Sequence, residues 1–132
     1  MTTDFEITEQ ETLRDTPEGE LWTSVLVDGI ESLERALDWL GSTYEVRRTD
    51  LEAKALELPR ARYRERRRDL ERERREREAQ LRSCRWFFFS SDSPLDFICD
   101  VLSYPTDRIR AHARKIFERY GEPAEERDPV AA

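Results

Sequence analysis

Apolar residues recur along this chain in steps of three and four, the spacing of one helix face. The clearest run covers residues 20–40. Trp22, Val25, Leu26, Gly29, Ile30, Leu33, Ala36, Leu37 and Leu40 share one side, and Asp28, Glu31, Glu34, Arg35 and Asp38 share the other. Gly29 falls on or near the inner side, where close packing against another helix would offset its cost of about 1 kcal/mol. Trp39 lies at the edge of the stripe, and Gly41-Ser42 reads as a stop. From Thr43 to Leu58 the pattern weakens. Leu51, Ala55 and Leu58 are helix-spaced, whereas Tyr44-Glu45-Val46 suits a short extended piece, and Pro59 predicts a break. In residues 60–82, RARYRERRRDLERERREREAQLR, apolar residues are sparse, Tyr63, Leu70, Ala79 and Leu81 among them. No face is wide enough for a core. The stretch therefore predicts a long helix in solvent, or one half of an antiparallel pair with 43–58. Glu71–Arg75, Glu73–Arg77 and Glu78–Arg82 are acid-before-base pairs at i,i+4, each contributing about 0.2–0.5 kcal/mol.

The apolar pattern then returns. Leu81, Cys84 and Phe88 are helix-spaced, so the charged helix runs down into a core at CRWFFF, where Trp86 and the phenylalanines read as filling; base stacking by these rings is the alternative. A first short helix follows at 93–103, with Ser93 as N-cap, Pro94 in the first turn and Leu95, Ile98, Cys99 and Leu102 inward. Tyr104-Pro105 breaks it. Thr106 starts a second helix with Ile109, Ala113, Ile116, Phe117 and Tyr120 inward, ended by Gly121. Arg108, Arg114 and Lys115 lie on its outer side, with Arg110 on the flank. Helix, short turn and second helix with a basic outer side form the outline of a helix-turn-helix, and these four cations are the candidate nucleic-acid contacts. The expected fold class is all-α: a small helical domain with this C-terminal hairpin and the long charged helix. Residues 1–19 read as a flexible acidic arm in which Phe5, Ile7 and Leu13 could dock locally, 20–121 as one helical domain, and 122–132 as a disordered acidic tail.

Charge sharpens this picture. The net charge of −7 over 132 residues hides a split: 1–58 are strongly acidic, 59–121 basic and 122–132 acidic again. The basic half can meet phosphates or, in a homodimer, the acidic half of a second copy, while the overall sign opposes nonspecific DNA binding. At 40% charged residues the chain supports only a small core. Arginine dominates the bases, a bias to which we attach no chemistry.

Catalytic and metal chemistry have little to work with. His112 is the one histidine and has no Cys or carboxylate at ligand spacing. Cys84 and Cys99 lack a C-x-x-C arrangement, and Cys99 sits on an apolar helix side. No glycine-rich phosphate loop occurs. The expectation is a non-enzyme without cofactor or metal. The acidic N-terminus is no signal peptide and no apolar run could span a bilayer, which points to the cytoplasm and reduced thiols.

Two segments, Leu21-Trp22-Thr23-Ser24-Val25-Leu26 with Ile30, and Trp86 through Ser90-Ser91, Phe97-Ile98-Cys99-Asp100-Val101-Leu102, Pro105 and Ile109-Arg110, carry a resemblance. They resemble small uncharacterised bacterial and prophage-encoded proteins with an LW..VL helix and a C-terminal W..S, F..C..L, P, IR segment. The 60–82 helix stands as an insertion between the segments, and the turn 103–106 lacks the glycine expected there. The resemblance implies that the first helix and the hairpin share a core in a phage or mobile-element setting, and brings no activity. The leading expectation is a phage-type DNA-binding regulator. The alternative is an interaction or assembly module, a binder of a host or phage protein or an acidic nucleic-acid mimic, acting through the charged helix and acidic front half.

Overall fold

The computed structural model describes residues 16–124, so 1–15 of the arm expected over 1–19 and 125–132 of the tail expected over 122–132 lie outside the described residues. Within 16–124 every regular element is helical: α1 (Pro17–Asp38), a π-helical segment (Trp39–Thr43), α2 (Tyr44–Ala53), α3 (Arg60–Phe89), α4 (Leu95–Leu102) and α5 (Thr106–Arg119).

α1 starts earlier than its apolar stripe implies. Thr16 is an N-cap whose hydroxyl accepts the Gly19 N–H at 3.0 Å, Pro17 occupies the first turn, and Glu18 and Glu20 sit at the positive end of the helix. The Thr-Pro and Gly signals expected to end an arm thus open a helix. At its far end, Gly41-Ser42 does not stop the chain. The backbone stays right-handed through one widened π turn and continues into α2, which overturns the extended alternative for 44–46. The cause is tertiary. Trp39 is buried with the Arg77 guanidinium 5.8 Å from its ring centroid, and the Tyr44 hydroxyl donates to Glu71 at 2.6 Å. Contacts to α3 on both sides of the glycine hold the helix in line.

After the turn at Lys54–Pro59, α3 returns antiparallel to α1 and α2. The rings of Phe87 and Phe88 pack onto Gly29 of α1, where a Cβ would stand 3.3 Å from Phe88 Cζ and 3.4 Å from Phe87 Cε2. α3 has two regimes. Its first five turns keep only Leu70 buried, beside α2. Its last turns bury Leu81, Cys84 and Phe88.

The core lies at that end. Leu26, Ile30, Leu33 and Leu37 of α1 meet Leu81, Cys84 and Phe88 of α3, Leu95, Ile98, Cys99 and Leu102 of α4, and Ile109, Ala113, Ile116 and Phe117 of α5. Each fully buried Leu, Ile or Phe contributes about 1.5–3 kcal/mol of transfer free energy. Both cysteines are free and buried, and burial alone pushes the Cys84 thiol up to about 11.

α4 and α5 end in the same way. After α4 the N–H of Tyr104 donates to Cys99 O (2.9 Å) and that of Ser103 to Asp100 O (3.2 Å). After α5 the N–H of Glu122 donates to Phe117 O and that of Gly121 to Glu118 O (both 3.0 Å). These are Schellman closures, which need a left-handed residue. Gly121 takes it at φ 71° without strain, and Ser103 takes it at φ 57° in place of the expected glycine. The expected caps also shift. α4 begins at Leu95, and Ser93 accepts the Leu95 N–H (3.3 Å) while donating to Phe87 O (2.7 Å). Thr106 is the first residue of α5, and the extended Pro105 before it holds the cap position.

Candidate nucleic-acid interface

The α4–α5 hairpin brings the four predicted cations onto one helix but gives them different work. Arg108 and Lys115 are exposed, and no ion pair joins either to another described residue. Arg114 is exposed, and its guanidinium lies 5.2 Å from the Phe89 ring centroid. Arg110 is half-buried and turned inward. Its Nε donates to Phe88 O at 3.0 Å and its Nη2 stands 3.5 Å from Asp96. Phe88 O is one of the last carbonyls of α3, groups without an intrahelical partner. Trp86 O receives the Ser90 N–H, Phe87 O the Ser93 hydroxyl and Phe88 O the Arg110 guanidinium. Arg110 therefore caps α3 with a cation at its negative end and ties α3, α4 and α5 together. The outward cations of the hairpin are Arg108, Arg114, Lys115 and, paired with Glu34 of α1 at 3.5 Å, Arg119, with Asp107 and Glu118 exposed beside them.

The second charged surface is α3 itself, and here the expected ion pairs rearrange. Of the three i,i+4 pairs only Glu73–Arg77 forms, at 3.9 Å. Glu71 turns toward α2, accepting from Tyr44 at 2.6 Å and from Arg74 at 3.4 Å, while Glu78 meets Arg74 at 3.7 Å and Glu73 meets Arg47 of α2 at 3.1 Å. The Tyr44 hydrogen bond holds the Glu71 carboxyl below, and the Tyr44 phenol above, their ordinary ranges. With three carboxylates drawn to the α2 side, Arg64, Arg68, Arg75 and Arg82 are left on the solvent side, joined by no ion pair to another described residue. Arg72 lies beside them and pairs with Asp69 at 3.1 Å. A shallow groove along this side is lined by Arg64, Arg67, Arg68, Arg72 and Arg75 with Glu71.

Trp86 continues the stripe at 49% exposure and so does not fill the core as expected; Phe88 does. Sequence reasoning missed this surface because it paired Arg75 and Arg82 locally. The signal was the four- and seven-residue spacing of Arg64, Arg68, Arg75 and Arg82, on the side opposite Leu70 and Leu81.

Burial pushes both thiols up from their ordinary value, and His112 is half-buried in α5. Among the described residues no group of His, Cys, Asp and Glu could hold a metal ion, and no helix is long and apolar enough to cross a membrane. No family model, curated protein or solved structure matches the chain.

Proposed function

We propose that the chain is a small, non-enzymatic DNA-binding protein of phage or prophage type that works in the cytoplasm and meets duplex DNA through the α4–α5 hairpin. The observation that carries this reading is the outward trio of Arg108, Arg114 and Lys115 on a helix whose start is fixed by a three-residue turn and whose flank is clamped by Arg110. A short first helix, a tight turn and a longer second helix with cations toward solvent is the arrangement that sets phosphate contacts in a groove. Protonated, buried thiols support the non-enzymatic part.

The test is fluorescence anisotropy on a mixed-sequence duplex across a salt series. Arg108→Ala with Lys115→Ala removes two phosphate contacts and flattens the slope of log K against log salt by about two. Unaltered affinity and slope would discard the hairpin as the DNA surface. The other reading, an assembly module, is favoured by the outward arginines of α3.

A further inference from the structure

α1 carries the complement of the α3 stripe. Its solvent side is acidic: Glu20, Asp28, Glu31 and Asp38 are all exposed, and no ion pair joins them to another described residue. The acidic stretch 20–38 and the basic stretch 64–82 have equal lengths, about 27 Å each at ~1.5 Å per residue. Their spacings also agree. Laid parallel with Glu20 beside Arg64, the helices place Asp28 beside Arg72, Glu31 beside Arg75 and Asp38 beside Arg82. The one exposed base within the acidic stretch, Arg35, then falls beside Ala79 rather than beside a cation, and Trp86 falls beside the small Ser42.

We propose that these two faces bind each other between two copies of this chain, the α1 side of one against the α3 side of its partner, in a two-fold dimer. Orientation supports it. Within one chain α1 and α3 run antiparallel, so a two-fold axis perpendicular to them sets α1 parallel to the partner's α3, the direction in which the charges match. Each contact then occurs twice. Nucleic acid fits the α3 side less well, because the exposed Glu65 and Glu76 flank the arginines and would face phosphate. The proposal leaves α5 untouched and stands independently of the DNA reading.

Light scattering and sedimentation equilibrium on the whole chain test it. In about 50 mM salt the mass is expected at twice 15.8 kDa, falling toward the monomer at about 500 mM as the pairs are screened. Glu31→Arg and Arg75→Glu should each weaken the dimer at least about tenfold, since each reversal acts twice. The two changes in one chain should restore it, because the swapped charges meet again. Glu31→Gln and Arg75→Gln give milder losses, and circular dichroism melts verify that each variant folds. A monomer at low salt, a dimer indifferent to Arg75→Glu, a failure of the double swap, or open-ended oligomers each overturns the proposal. So does a result in which Arg75→Glu spares the mass and weakens duplex binding, which would make the stripe a phosphate track.

Discussion

Replacing Arg110 by alanine separates a clamp from a DNA contact. The variant loses the 3.0 Å bond from Nε to Phe88 O and the 3.5 Å approach to Asp96. A hydrogen bond with a charged donor contributes about 1.5–3 kcal/mol, because the carbonyl it leaves behind is partly buried. The Asp96 pair adds little, since that carboxylate is 59% exposed and screened. The expected loss is about 2 kcal/mol, or roughly 8 °C in Tm at ~4 °C per kcal/mol for a domain of this size. Urea unfolding followed by circular dichroism reads it, with the m-value unchanged. Arg110→Lys should recover little, because a single ammonium cannot reproduce the guanidinium fork that reaches both partners. A loss below about 0.5 kcal/mol together with weakened DNA binding would refute the clamp and return Arg110 to the set of phosphate contacts.

Other outcomes follow from the same geometry. Ser103→Gly should stabilise the fold by up to about 1 kcal/mol by relieving the left-handed residue, and Ser103→Val should destabilise it by about 1–2 kcal/mol, both measured by thermal melts. The Cys84 thiol, raised to about 11 from an ordinary 9, is held in its neutral form by the fold. Its contribution is therefore intact below pH 9 and is lost as pH rises from about 9 to about 11, which a urea titration across that window detects. Tyr44→Phe removes the bond to Glu71 and should cost about 1 kcal/mol by urea unfolding, with the α2–α3 contact loosened.

The core was legible because it is local. Leu95, Ile98, Cys99 and Leu102, then Ile109, Ala113, Ile116 and Phe117, are spaced as helix faces in the sequence and are all buried. Helix ends were less legible, since Thr16-Pro17 and Gly41-Ser42 are signals whose sense depends on what lies beside them. Only the approach of Glu71 and Arg77 to Tyr44 and Trp39 decides that the helix passes through Gly41. The α3 surface was illegible for the same reason. A glutamate with arginines at three and four residues away has several local partners, and the position of α2, distant in sequence, selects among them. Arg110, placed on the flank, looked like a nucleic-acid contact because its spacing cannot reveal that the Phe88 carbonyl, left without an intrahelical partner, accepts its Nε–H.

The uneven anchoring of α3 divides one helix into two energetic regions. Around Leu81, Cys84 and Phe88 its amides are shielded by the core, and opening them means unfolding the domain. Toward Arg60 the helix rests on Leu70 and a row of screened ion pairs and ring contacts. Salt and small fluctuations can detach that end while the base stays folded. Amides near Arg60 are therefore expected to exchange faster than those around Cys84, and to do so without the α4–α5 hairpin opening.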